Sequence, residues 1–359
     1  PVVYDHFARR WRAPDRRERE LAAFDPARKP GVSRGPSWAW WQRARGKLAR
    51  AGLPLMRDVA GGRAGFITVE LFGRQFDAAV INSIKRRVDG PLAAVFHDMI
   101  ALELPAISPR ETVLYYGEYL ENLLRFDIIA ANSEYSRDAL VDYWRRKNTA
   151  STPEILAVPL GVDAPVFGNR PDARGSDGGG PLVLCVGTLE GRKNHAALLS
   201  ACETLWRGGR RFRLRLVGMA NAETGARAVR EAGRLRRAGF PLEWRGAASD
   251  RELAASYAEC SFTVYPSLLE GFGLPVLESL AYHRPCVCSG LNAMAEIARD
   301  GGCAAIGEPS PENLARGIAA LLDDPGLHAR LARESAARKI RSWPDYAAAF
   351  RDLFAPGGL

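Results

Sequence analysis

Two glutamates eight positions apart, Glu270 and Glu278, bracket the run Gly271-Phe272-Gly273-Leu274-Pro275. Glycines just ahead of a proline that opens a helix are what a helix N-terminus presented to an anion needs. Its free N–H groups and the positive end of its dipole then point outward, and a phosphate is the natural guest. Glu278, about one turn into that helix, can reach a neutral polar group such as a ribose diol. Glu270, in the loop, lies nearer whatever the phosphate carries. A second set is Arg192 and Lys193 in VGTLEGRKNHAALLSA (186–201), where a strand ends at Gly187 and Asn194 starts a helix. Two cations at the carboxyl edge of a sheet suit a diphosphate, whose charge must be neutralised as it leaves; a solvated Arg-Lys turn is the alternative. His97 and Asp98 follow the apolar run LAAVF at another such edge. There a histidine is either a satisfied structural residue or a group facing a cleft.

The elements that must hold these residues alternate. PLVLCVG (181–187), FRLRLVG (212–218), PLEWRG (241–246), SFTVYPS (261–267), PCVCSG (285–290) and GCAAIG (302–307) read as short strands. Helical patterns at 194–208, 223–238, 250–258, 275–283 and 311–322 separate them, which predicts βαβ units and a parallel sheet covered on both faces. In the first half FITVELF (66–72), AAVIN (78–82), LAAVFHD (92–98), DIIAANS (127–133) and ILAVPLGV (155–162) read as strands, and 111–126 and 136–147 as helices. Residues 168–180, GNRPDARGSDGGG, have no apolar periodicity and read as a linker. The prediction is two doubly wound α/β domains, 1–167 and 181–341, with a cleft at the carboxyl ends of both sheets.

A chain of 359 residues is long enough for two such cores. The net charge is +9, and residues 1–50 hold 13 basic and 5 acidic side chains, which raises the question of an anionic partner. Nucleic acid is not expected, because those arginines show no recognition module and no interleaved aromatics. Trp38, Trp40 and Trp41 suit an interface or burial equally. The six cysteines all follow residue 184 and form no CxxC pair, which predicts reduced, buried thiols. No stretch reaches the ~18 apolar residues of a membrane span. Beyond the short run PVVYDHF, residues 1–50 also lack the strand, glycine turn and helix that open a doubly wound domain, so either a first βα unit lies upstream of Pro1, the favoured expectation, or this domain is built differently.

Glu270-x7-Glu278 with GFGLP between them, YPS before and RPCVCSG after, resembles the E-x7-E motif of glycosyltransferase family 4. These are retaining, nucleotide-sugar-dependent enzymes of the GT-B fold. The resemblance covers residues ~90–354 and is strongest over 180–290. It implies that Glu270 contacts the donor sugar, that Gly271, Phe272, Gly273 and Leu274 hold diphosphate and sugar, and that Glu278 binds the ribose. GTLEGRKN resembles the family's donor-phosphate loop. Thr188 stands where many relatives carry Arg, so the phosphate role falls first on Lys193 and then on Arg192.

RLVG ending at Gly218 and the run 244–261 resemble the segments whose backbone, around Gly246 and Ala247, faces the base. Asp250 reads as a helix N-cap. His97 resembles the histidine of an H-D pair that faces the donor sugar, and Ser133 and Glu134 resemble a loop at the far edge of the same cleft, although Ser133 reads equally as a helix cap. Residues 342–359 resemble the final helix that crosses back to the first domain.

The implied reaction is transfer of a hexose from a nucleoside diphosphate sugar to a glycan or lipid-linked acceptor, in polysaccharide, lipopolysaccharide or glycolipid synthesis. Asp323-Asp324-Pro325 reads as a junction between helices and not as a cation site, so neither metal nor other cofactor is expected. The expected location is cytoplasmic, with residues 1–50 against an anionic membrane surface. A nucleotide-sugar 2-epimerase and a non-catalytic nucleotide-sugar-binding protein are the alternatives.

Overall fold

The computed structural model describes residues 3–5, 10–12, 65–69, 71, 77–163 and 180–353. Its two largest sheets are parallel throughout and are built from separate halves of the chain.

In the first half, β3 (Phe66–Thr68), β4 (Leu92–Phe96), β5 (Ile128–Ala131) and β6 (Glu154–Ala157) pair in that order. Strands β4 and β5 are buried at every position, as unbroken apolar runs in a sheet covered on both faces should be. Helices α1 (Ala78–Lys85), α2 (Ile100–Glu103), α3 (Arg110–Leu123) and α4 (Glu134–Arg146) connect them. The segment AAVIN, expected as a strand, is part of α1. Asp77 caps that helix by accepting the Val80 N–H at 3.0 Å, and Ile81 and Ile84 are buried one turn apart, so a short apolar run with a good cap folds at helical period. Before this sheet, β1 (Val3–Asp5) pairs antiparallel with β2 (Arg10–Arg12). The tryptophans at 38–41 and nearly all of the basic residues at 1–50 lie outside the described residues, as do positions 168–179 of the expected linker.

The second sheet contains β7 (Leu182–Val186), β8 (Arg213–Val217), β9 (Leu242–Trp244), β10 (Phe262–Tyr265), β11 (Cys286–Cys288) and β12 (Cys303–Ala305). Their spatial order is β12-β11-β10-β7-β8-β9. The chain therefore winds one way from β7 to β9, then returns past β7 and winds the other way from β10. The connections leave β7 and β10 toward opposite faces of the sheet, which opens a crevice between their carboxyl ends. Packed on the two faces are α5 (His195–Arg207), α6 (Ala226–Arg237), α7 (Asp250–Glu259), α8 (Leu274–Ala281), α9 (Ala293–Arg299), α10 (Pro311–Asp323) and α11 (Pro325–Ala337).

Ser249, and not Asp250, caps α7. Its hydroxyl accepts the Glu252 N–H while the Glu252 carboxylate accepts the Ser249 N–H, and Asp250 is the first helical residue. Asp323 ends α10, and Asp324 caps α11 by accepting the Leu327 N–H. All six thiols are unpaired, five of them buried.

The last helix, α12 (Trp343–Leu353), leaves the second sheet. Phe350 packs with Val95, Ala130 and Val158 of the first. The segments leading into and out of the second domain run side by side: the Val162 N–H donates to the Arg341 carbonyl at 3.0 Å, and the Arg341 guanidinium donates to the Pro159 carbonyl at 3.2 Å. Gly161 presses so closely on the Ser342 backbone that a methyl group could not be accommodated there.

Candidate active site

The crevice between β7 and β10 is lined by the two loops singled out in the sequence. The turn Gly191–Lys193 follows β7, the loop 266–273 follows β10, and the Leu268 N–H donates to the Arg192 carbonyl at 2.9 Å to join them. Lys193 and Glu270 meet as a buried ion pair, Nζ to Oε1 at 2.6 Å, while Arg192 Nη1 reaches Glu270 Oε2 at 2.6 Å. Glu270 also accepts from the Ser267 hydroxyl at 2.6 Å, Lys193 Nζ donates to the Tyr265 hydroxyl, and Arg192 Nη2 lies 2.9 Å from Glu190. Glu270 and Lys193 are only 6% and 9% exposed. Burial by itself would raise the Glu270 carboxyl, but Lys193 and Arg192 outweigh it and hold the group below the ordinary carboxylate range. Burial lowers the Lys193 ammonium against the pull of Glu270.

The two cations expected to stand ready for a diphosphate are thus matched by two carboxylates, Glu270 and Glu190. Neither Glu190, Tyr265 nor Ser267 was identified in the sequence as a partner of this cluster. The only available signal was their adjacency to the GRKN and YPS motifs.

Gly273 caps α8 with φ +106°, a left-handed conformation that strains any residue with a Cβ. Leu274 and Pro275 open the helix behind it. Glu278, one turn on, accepts from the Tyr257 hydroxyl at 2.6 Å. Thr188, after β7, and Ala247, after the edge strand β9, are exposed. Gly218 commits its backbone within the domain, its N–H donating to the Gly246 carbonyl at 2.8 Å and its carbonyl accepting from Trp244 Nε1 at 2.9 Å. Among the described residues no group of three or more His, Cys, Asp or Glu side chains is placed to hold a metal ion.

The first domain closes one side of the crevice. His97 follows β4 and is half-buried, and its Nε2–H donates to the Val69 carbonyl at 2.9 Å. Asp98 accepts the Ile100 N–H at 2.9 Å, and burial pushes its carboxyl above the usual range. Gly271 of the second domain packs directly on the His97 carbonyl oxygen, where any Cβ would collide. Ser133 is the N-cap of α4, accepting the Ser136 N–H at 3.0 Å, and it also donates to the Gly271 carbonyl at 2.6 Å. The two readings of Ser133 are therefore both realised. Below this contact the Glu296 carboxylate of α9 accepts the Glu134 and Tyr135 N–H groups, at 3.0 and 2.6 Å, at the start of α4. Glu270, Lys193, Arg192, Gly271 and His97 are thus gathered at one seam, while Glu278 lies farther along α8.

The family pattern of glycosyl transferases group 1 matches residues 168–338, which contain both crevice loops. This part of the chain matches the pattern of a group 1 glycosyltransferase domain. The chain is 27% identical over 267 residues to the serotype-specific mannosyltransferase WbdA of Escherichia coli, covering 70% of this chain and 32% of that protein. It is 28% identical over 262 residues to O-antigen chain mannosyltransferase B of Escherichia coli, covering 69% and 66%. The chain therefore spans between about a third and two thirds of the length of these curated relatives. Among solved structures, sucrose-phosphate synthase from Thermosynechococcus elongatus superposes with a TM-score of 0.66 at 19% identity, over 87% of this chain and 76% of that one. That likeness carries the fold: two facing α/β domains of the GT-B kind. No helix among the described residues is long and apolar enough to cross a membrane.

Proposed function

We propose that the chain is a retaining hexosyltransferase of family 4 that takes its sugar from a nucleoside diphosphate donor bound in the crevice between β7 and β10. The observation that carries this reading is Glu270 held between Lys193 and Arg192 at that crevice, within a group 1 glycosyltransferase domain and against the His97 segment of the facing domain.

The chemistry follows from the charges. A leaving nucleoside diphosphate gathers negative charge as the glycosidic bond breaks, and Lys193 and Arg192 lie at the place to neutralise it, together with the amide groups that start α8. In this role they act without a metal ion. Glu270 stays ionised because both cations face it, so it can align the sugar and offset the positive charge that develops at the anomeric carbon. Glu278, oriented by Tyr257, serves the ribose. Retention fits front-face attack, in which the acceptor hydroxyl enters on the side of the departing phosphate and gives up its proton to it. The contact of the two domains at Gly271 and His97 keeps water from the donor.

The names of the relatives, WbdA and O-antigen chain mannosyltransferase B, favour mannose as the sugar and a surface polysaccharide as the product. The charge surplus of +8 in residues 1–50 supports a lipid-linked or otherwise anionic acceptor at the cytoplasmic face of a membrane, since each Lys or Arg near anionic headgroups contributes ~1 kcal/mol.

A panel of nucleoside diphosphate sugars, screened by thermal stabilisation, tests the reading. A true donor at 100 times its Kd should stabilise the fold by ~2.7 kcal/mol. Analysis of the sugar nucleotide after incubation without acceptor separates transfer from epimerisation: a changed sugar configuration would favour the isomerase. No stabilisation by any member would overturn the donor site.

A further inference from the structure

We propose that Ser133 and Ser136 are positioning residues of the donor loop, supplied by the opposite domain: their hydroxyls hold the Gly271 carbonyl and thereby orient the Gly271–Phe272 peptide. The inference rests on the transferase reading of this crevice.

Both serines are wholly buried. Ser133 Oγ donates to the Gly271 carbonyl at 2.6 Å, and Ser136 Oγ lies 3.1 Å from the same oxygen. The Ser133 oxygen also accepts the Ser136 N–H at 3.0 Å, so its lone pairs serve the helix cap and its proton is left for Gly271. Ser136 Oγ lies 3.1 Å from the His97 carbonyl as well, so its single proton is shared between two acceptors.

Those acceptors belong to different domains and are forced together, because the His97 carbonyl packs on Gly271 where a Cβ would otherwise be. Two carbonyl oxygens at a dry seam repel each other and each needs a donor. The serine pair supplies both.

In a trans peptide the C=O and the following N–H point in opposite directions. Fixing the Gly271 oxygen toward α4 therefore turns the Phe272 N–H the opposite way, away from α4. That amide is aimed only while the two domains are in contact, which couples closure to the geometry of the site.

The test uses the full chain, Ser136→Ala, Ser133→Gly (glycine being tolerated at a helix N-cap) and the double variant. Binding of GDP and UDP is measured alongside kcat and KM for nucleoside diphosphate release from GDP-mannose and UDP-glucose. The expected result for the double variant is a kcat at least tenfold lower, with GDP or UDP affinity within twofold of the parent and KM within threefold. A kcat within twofold of the parent overturns the inference. So does a loss of kcat that merely tracks a loss of nucleoside diphosphate affinity and of melting temperature, which would mark a structural role. If Ser133→Gly does not fold, Ser136→Ala decides on the same readouts with a threefold threshold. A parent chain that neither binds nor cleaves either sugar nucleotide overturns the transferase reading itself, and the inference with it.

Discussion

Lys193 Nζ and Glu270 Oε1 lie 2.6 Å apart, both buried, in the crevice between β7 and β10, joining side chains from loops 77 positions apart in the sequence. The pair makes each partner's charge dependent on the other. Removing either leaves a buried charge without its main partner, which typically costs ~3–5 kcal/mol.

Glu270→Ala should therefore lower stability by several kcal/mol, on the order of the 3–5 kcal/mol for a broken buried pair, as well as abolish transfer. Glu270→Gln keeps the shape and the Ser267 contact, so it should retain more stability while still losing on the order of a hundredfold in kcat, the scale of removing one electrostatic stabiliser. Urea unfolding and donor turnover on both variants check this. Wild-type turnover in Glu270→Gln would remove Glu270 from the mechanism.

Lys193→Ala should cut turnover by at least tenfold and weaken nucleoside diphosphate binding, because Arg192 alone then faces both Glu270 and the leaving group. Titration calorimetry with GDP and UDP reads the binding term. Unchanged affinity would assign Lys193 to structure alone.

Gly271→Ala places a methyl group on the His97 carbonyl. Overpacking of this kind costs ~1–3 kcal/mol, and the cheapest relief is a shift of the donor loop away from the first domain. A lower melting temperature and a fall in kcat of tenfold or more are expected. Normal kinetics would show that the two segments need not touch.

Glu296→Ala removes the carboxylate that accepts two N–H groups at the start of α4 from across the seam. Loss of such a cap costs ~0.5–2 kcal/mol. Here the loss should also loosen the domains, seen as a larger radius of gyration in X-ray scattering. A stability loss with an unchanged radius would confine Glu296 to capping.

His195 is 2% exposed, neither ring nitrogen has a hydrogen-bond partner among the described residues, and burial, helped by Lys193, drives its pKa down to about 3. Its ordinary value is ~6.5. Above pH 6.5 the imidazole is neutral in both folded and unfolded chains and the group has no effect. As pH falls below 6.5 only the unfolded chain takes up the proton, so stability drops, by ~2 kcal/mol at pH 5, and continues to drop until the folded pKa is reached. His195→Gln should flatten this dependence between pH 7 and 5 in urea titrations. An equally steep slope in the variant would place the loss elsewhere.

Much of the site was legible as motif. Glu270, Gly271, Arg192, Lys193 and His97 were all singled out from their types and their places after apolar strands, and the structure brings them to one seam. Other features were not legible, for identifiable reasons. AAVIN fits strand and helix alike over five residues, and the Asp77 cap decides for helix. Ser249 and Asp250 are both good caps, and the reciprocal bond with Glu252 selects Ser249. The matching of Arg192 and Lys193 by Glu190 and Glu270 depends on how side chains fold back across a crevice, which spacing along a chain does not encode.

The sequence by itself determined the alternation of strands and helices, the cleft expected at the carboxyl ends of the strands, and the residue types delivered to it; the spatial order that sets the crevice between β7 and β10 came from the structure. The first three follow from local rules: apolar period, caps, and glycine where the backbone must turn or approach closely. Only the tertiary structure decided that the cations are already compensated, that Gly271 touches His97, and that Ser133 serves both its own helix and the opposite domain. The first depends on how two loops of the second domain, 77 residues apart, fold together, and the other two on the relative placement of the domains, between segments more than a hundred residues apart.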